Sequence, residues 1–175
     1  LTAARTAPFY HAQTPGGKTM SVKGTNLGPL GWVSDRRGYR YQPNHPQTGE
    51  PWPPIPGILL DLWKKYAHEE VPPDACLVNF YDAAARLSLH QDADEADFAF
   101  PVLSVSLGDT ALFRLGGTKR SDPTRSLRLS SGDVVLLAGE ARRAFHGVDR
   151  IIPGSSRLVP GGGRINLTLR RAMPV

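Results

Sequence analysis

Arg164-Ile165-Asn166-Leu167-Thr168-Leu169-Arg170 is the stretch that decides the fold. Polar and aliphatic side chains alternate at every position. A period of two puts Arg164, Asn166, Thr168 and Arg170 on one face of a β-strand and Ile165, Leu167 and Leu169 on the other. On the inner face of a small barrel, two arginines and an amide would be costly without an anionic partner. On the pattern alone, a surface strand with its polar face in water is the better reading. Turn signals upstream make this strand the last of a series. Gly108-Asp109, Gly116-Gly117, Ser131-Gly132-Asp133 and Gly161-Gly162-Gly163 help to separate short runs at 75–81, 87–92, 102–107, 110–115, 126–129, 134–138, 143–147 and 164–170. Such a series fits a double-sheet jelly roll, in a chain that is mainly β with some helix (α+β).

Ahead of the strands, Ile58, Leu59, Leu62, Trp63 and Tyr66 recur at helical spacing until Pro72-Pro73, which predicts one amphipathic helix over about 56–70. Residues 1–57 are rich in Pro and Gly but carry Trp32, Tyr39 and Tyr41, which suits a loop-rich lid better than a linker. A length of 175 residues predicts a single domain, with the lid over 1–57 and the jelly-roll core over 75–171. No apolar run reaches the length of a membrane span, and no apolar stretch follows the first charged residue as in a signal peptide. The one cysteine, Cys76, excludes an internal disulfide and fits a cytoplasmic location. The net charge is +5, with basic clusters at Arg36, Arg37 and Arg40 and at Lys119, Arg120, Arg125 and Arg128. Acid gathers at Asp92, Asp94, Glu95 and Asp97. Basic loops around an acidic pocket suit a polyanion whose reactive part enters the pocket, and solubility alone would explain them equally well.

The acidic cluster adjoins His90-Gln91-Asp92. Ligands two residues apart on a strand point to one face, and His146 follows on a later strand. Two histidines and one carboxylate leave coordination positions open, as in the facial triad of non-haem Fe(II) oxygenases. A lone His-x-Asp or a lone histidine is weak evidence, and zinc with three ligands and a water would fit the same donors. The arginine stripe decides for iron, since a pair of guanidinium groups suits the dicarboxylate 2-oxoglutarate and is not needed by a zinc hydrolase. His11, His45 and His68 show no partner pattern and receive no role.

Together with Thr14-Pro-Gly-Gly, Leu30-Gly-Trp, Pro46-Gln-Thr, Pro73-Asp-Ala-Cys-Leu-Val-Asn-Phe-Tyr, Leu87-Ser-Leu-His-Gln-Asp, Val105-Ser-Leu-Gly, Ser131-Gly-Asp-Val-Val, His146-Gly and Arg164-Ile-Asn-Leu-Thr-Leu-Arg, these features resemble the AlkB family of Fe(II)/2-oxoglutarate-dependent nucleic-acid dealkylases, and its bacterial members most of all. The resemblance spans nearly the whole chain in family order. It implies a double-stranded β-helix with a nucleotide-recognition lid. His90, Asp92 and His146 would ligate Fe(II). Arg164 and Arg170 would hold the two ends of 2-oxoglutarate, with Asn79, Tyr81 and Asn166 hydrogen-bonding it, and O₂ would be the second co-substrate. Trp32 would stack on a damaged base opposite the ring of His90, and Asp94 would sit near its exocyclic amino group. Thr14 and Tyr39 would lie in the lid, and Arg120 would contact the nucleic-acid backbone. The expected activity is oxidative demethylation of bases of the 1-methyladenine and 3-methylcytosine type in DNA, single-stranded by preference, or in RNA, by a monomer.

Two departures qualify the likeness. Bacterial members have further residues ahead of Thr-Pro-Gly-Gly, which implies an N-terminal segment beyond this chain, and they carry a tryptophan where this chain has Leu137. The competing functions are an Fe(II)/2-oxoglutarate hydroxylase of a protein or small molecule, which would keep every core residue and change the lid, and a nucleic-acid-binding jelly roll without chemistry.

Overall fold

A computed structural model describes residues 3–67 and 70–174. His68 lies outside the described residues, as do positions 68 and 69 of the expected helix. In chain order the elements are α1 (Ala3–Thr6), β1 (Tyr10–Gln13), β2 (Thr19–Leu27), β3 (Gly31–Asp35), β4 (Gly38–Gln42), α2 (Gly57–Ala67), β5 (Ala75–Tyr81), β6 (Leu87–His90), β7 (Val102–Gly108), β8 (Thr110–Leu115), β9 (Arg125–Leu129), β10 (Val134–Leu137), a 3-10 segment (Gly139–Arg143), β11 (His146–Ile152) and β12 (Arg164–Arg170). Two antiparallel sheets face each other, in the orders β1-β2-β5-β12-β7-β10 and β6-β11-β8-β9, and β3 and β4 form a separate hairpin. This is the expected jelly roll.

β12 runs through the middle of the larger sheet, with Arg164 opposite Tyr81 on β5 and Gly108 on β7. Its two faces meet different surroundings. Leu169 joins Leu27, Leu59, Trp63, Cys76, Val78, Leu103 and Val105 in a core beneath α2, with Ile165 and Leu167 packed against it. Leu59, Trp63 and Ala67 are the buried stripe of α2, whereas Ile58 and Tyr66 are exposed. Each large apolar side chain buried there contributes about 1.5–3 kcal/mol. Arg164, Asn166, Thr168 and Arg170 take the other face, all buried, toward the second sheet. A second core of Val22, Tyr81, Ala85, Ala111, Phe113, Leu129, Val148 and Ile151 fills the space beside them. The polar stripe of the final strand therefore points inward, not into water.

Several boundaries differ from the pattern reading. The strand expected over 143–147 is a 3-10 turn up to Arg143 followed by β11 from His146 to Ile152. A bulge between Val148 and Arg150 breaks the alternation that would have extended it. The run at 87–92 ends as a strand at His90. Residues 1–57 hold more regular structure than their Pro and Gly content suggests. β1 and β2 extend the larger sheet, so the barrel wall draws on the segment expected to be lid alone. The β3–β4 hairpin packs closely over the chain behind it, since a Cβ on Gly31 would run into the Trp52 ring and Asn26.

Candidate metal centre and active site

β6 and β11 pair antiparallel with His90 directly opposite His146. The pairing needs Gly147, because a Cβ there would lie 2.5 Å from the Leu87 carbonyl oxygen. Both imidazoles are oriented alike. His90 Nδ1 lies 2.9 Å from the Ser88 carbonyl and His146 Nδ1 lies 2.9 Å from the Ala144 carbonyl. A carbonyl can only accept, so each Nδ1 carries the proton and each Nε2 presents a lone pair. Both Nε2 atoms approach Asp92, at 3.7 Å from Oδ1 for His90 and 3.7 Å from Oδ2 for His146. All three residues offer ligand atoms within 4.8 Å of one another. Burial pushes the His146 imidazole below its ordinary pKa, which favours the neutral, ligating form. Burial would raise Asp92, but Arg170 beside it, with the two imidazoles and Arg142, holds its carboxyl below the usual range. Asp92 Oδ2 is buried without a hydrogen-bond partner among the described residues. A buried, unpartnered carboxylate oxygen beside two imidazole nitrogens is what a divalent cation satisfies, and the donor set fits Fe(II).

The triad lines a cavity that also takes in Asn79, Tyr81, Arg164, Asn166, Thr168 and Arg170, with Leu137 in its wall. Arg164 is 1% exposed. Its Nη2 donates to the Ser106 hydroxyl at 2.9 Å and its guanidinium lies 5.5 Å from the Tyr81 ring centre. Its Nε and Nη1 have no partner among the described residues. A buried guanidinium with two free donors facing a cavity fits a carboxylate-bearing co-substrate. Arg170 is engaged differently, with Nη2 2.7 Å from Asp92 Oδ1 and Nη1 2.9 Å from Glu95 Oε1. Asn166 supports the wall, its amide donating to Ser104 and Val105 and its oxygen accepting from Thr168. Burial pushes the Tyr81 hydroxyl up to about 12, so it stays a neutral donor at the cavity edge.

Trp32, Tyr39 and Tyr41 share one face of the β3–β4 hairpin, Trp32 directly opposite Tyr41. Trp32 and Tyr39 stack with ring centres 5.6 Å apart. The Trp32 indole donates to Asp94 at 2.7 Å, and the Tyr41 hydroxyl donates to Glu95 at 2.5 Å. Two neighbouring aromatics thus grip two neighbouring acids in the loop that follows β6. Asn26 completes the hold on Trp32 by bonding both its main-chain N–H and carbonyl at 3.0 Å. Trp32 borders a second, mostly apolar hollow with Met20, Gly24 and Leu77, which shares Asn79 with the main cavity.

Of the residues expected at the site, His90, Asp92, His146, Asn79, Tyr81, Arg164, Asn166 and Arg170 converge on one cavity. Trp32, Tyr39 and Asp94 meet one another beside it. Thr14 stands apart at the β1–β2 turn, where its hydroxyl accepts from the Lys18 N–H. Arg120 is exposed; its Nη1 donates to the Leu89 carbonyl and its guanidinium lies over the Phe145 ring. Glu95, one of the acids clustered in sequence after Asp92, is buried and paired with Arg142 and Arg170, because Tyr41 and these two guanidinium groups satisfy it inside. Arg142, Ser106 and Asn26 were not visible as site residues, and only pairing across the fold reveals them. His45, given no functional role, packs between Tyr10 and Trp52.

Residues 1–170 match the profile of the 2OG-Fe(II) oxygenase superfamily. The chain is 67% identical over 172 residues to the alpha-ketoglutarate-dependent dioxygenase AlkB homolog of Caulobacter vibrioides (strain NA1000 / CB15N), covering 98% of this chain and 78% of that protein. It is 47% identical to the alpha-ketoglutarate-dependent dioxygenase AlkB of Escherichia coli (strain K12), covering 97% of this chain and 80% of the other. The solved structure of OsALKBH1 superposes with a TM-score of 0.79 at 34% identity, over 93% of this chain and 83% of that one.

Proposed function

Since the chain belongs to the AlkB family within the 2OG-Fe(II) oxygenase superfamily, we propose that it removes methyl groups oxidatively from base nitrogens of nucleic acid, in the repair of alkylation damage. It is an Fe(II)/2-oxoglutarate-dependent dioxygenase with O₂ as the second co-substrate. The observation that carries the reading is the meeting, in one cavity, of the His90-Asp92-His146 cluster with the two free donors of Arg164.

In this assignment His90, Asp92 and His146 hold the iron. Arg164 and Arg170 would hold the two ends of 2-oxoglutarate, with Asn79, Tyr81 and Asn166 hydrogen-bonding it. Bound iron supplies the oxidative decarboxylation of 2-oxoglutarate to succinate and CO₂, coupled to hydroxylation of the N-methyl group and its loss as formaldehyde. The protein orients the reactants and keeps water out. A base must leave the stack to reach the cavity. The Trp32 ring, braced by Tyr39 and Asp94, offers it an aromatic face, and the exposed Asp94 carboxylate favours cationic bases such as 1-methyladenine and 3-methylcytosine. Arg120 and Thr14 belong to the outer path of the strand. We take the whole chain as one dioxygenase domain, a monomer acting in the cytoplasm on single-stranded DNA by preference, and on RNA. Among the described residues, no helix is long and apolar enough to cross a membrane.

The test is release of formaldehyde and succinate from an oligonucleotide containing 1-methyladenine, with Fe(II), ascorbate and 2-oxoglutarate under air. Stoichiometric release that needs both iron and 2-oxoglutarate is expected. Succinate without base repair would assign the oxygenase to another substrate. DNA and RNA oligonucleotides, single and duplex, rank the strands. Trp32→Ala is expected to weaken binding of the lesion by about 1–3 kcal/mol while sparing 2-oxoglutarate. Equal loss of both ligands in fluorescence titrations would make Trp32 a core residue instead.

A further inference from the structure

Glu95 occupies a position that contact with iron, co-substrate or base does not explain. Its side chain is fully buried, three residues beyond Asp92 in the loop after β6. Oε1 accepts from the Tyr41 hydroxyl at 2.5 Å and from Arg170 Nη1 at 2.9 Å, and Oε2 accepts from Arg142 Nη2 at 3.1 Å. Arg142, 3% exposed, returns its other donors to the same loop. Nη1 reaches the Asp92 carbonyl at 2.9 Å and Nε the Phe100 carbonyl at 2.7 Å. One carboxylate therefore ties together β4, β12, the 3-10 segment and, through Arg142, both ends of the stretch from 92 to 100.

The charges are arranged as two carboxylates, Asp92 and Glu95, against two guanidinium groups, Arg142 and Arg170, all buried. Arg170 divides itself, one nitrogen on each carboxylate. Facing Asp92 alone, the same guanidinium would compete more strongly with a cation for that carboxylate. We infer that Glu95 is a positioning residue for the metal centre: its charge draws Arg170 partly away from Asp92, and its bond to Arg142 fixes the peptide that carries Asp92. The inference rests on Asp92 being a metal ligand. Burial would raise the Glu95 carboxyl, but Arg170 with Tyr41 and Arg142 keeps it below its ordinary range, so the charge is present at neutral pH.

Glu95→Gln keeps the volume and removes the charge. Titration calorimetry of the whole chain with Mn(II), without 2-oxoglutarate, reads the effect directly. The dissociation constant is expected to rise about tenfold in E95Q and to return to within about threefold of the parent in E95D, which restores the charge. A purely structural role would lower the melting temperature and leave the Mn(II) affinity of the folded protein unchanged, and that result overturns the inference. Failure of both variants to fold overturns it as well, since Glu95 is then a folding residue. A parent protein that binds no Mn(II) removes the Asp92 assignment itself, which separates that failure from the failure of Glu95 alone.

Discussion

Asp92→Ala is expected to lower formaldehyde release by at least about a thousandfold, about 4 kcal/mol of barrier. Asp92 is the only carboxylate in the cluster of three, and both imidazoles point their free nitrogen at it. Alanine also leaves Arg170 with Glu95 as its one remaining carboxylate and strips a buried pair of its partner, a loss of about 3–5 kcal/mol in folding stability. Asp92→Asn separates the two effects. It retains the shape and an acceptor for Arg170 but loses the negative charge, so Mn(II) binding should fall with much less change in melting temperature. Formaldehyde release from D92A at the parent rate would refute the assignment of the centre.

Arg164→Met is expected to move two measurements in opposite directions. Bonds to a charged group contribute about 1.5–3 kcal/mol each, so removing the two free donors should weaken 2-oxoglutarate binding by about 100-fold to 10,000-fold. The ligand-free protein should hold or gain stability, because a buried guanidinium with two unpartnered nitrogens gives way to an apolar chain of similar length. Arg164→Lys, which keeps charge but not the planar fork, should fall between the two in affinity. Calorimetric titration and thermal melting of the same samples decide the matter. A sharp fall in the melting temperature of R164M with unchanged 2-oxoglutarate affinity would make Arg164 a structural residue.

The donors of the centre were legible because their types are scarce and their spacing is regular. β12 was legible because its alternation is unbroken over seven residues, although only the structure places its polar face inside. The reason given by the spacing at 90 and 92 was incomplete. The strand stops at His90, and Asp92 is held by Arg170 and by the bond from Arg142 to its carbonyl, not by the pleat. Arg142 lies fifty residues away in a 3-10 turn whose apolar neighbours Ala144 and Phe145 read as strand. The burial of Glu95 is not legible where three acids surround it in sequence, because the partners that bury it come from β4, β12 and that turn. β2 was hidden by Gly24, Thr25 and Asn26 near its end. They sit within the sheet because Gly24 lies against Asn79 and Asn26 turns its amide onto Trp32.

The pairing of His90 with His146 has a mechanical side. The two ligands are 56 residues apart in the chain and adjacent only when β6 and β11 are in register. A metal held between them acts as a cross-link that closes a long loop. In the chain-entropy view, a covalent bridge of that span restrains the unfolded chain by about 4 kcal/mol. With Cys76 the single cysteine of these 175 residues, no such bridge can form between them from sulfur. Coordination by His90 and His146 would add the same kind of restraint in reversible form, holding β6 to β11 for as long as a metal is bound.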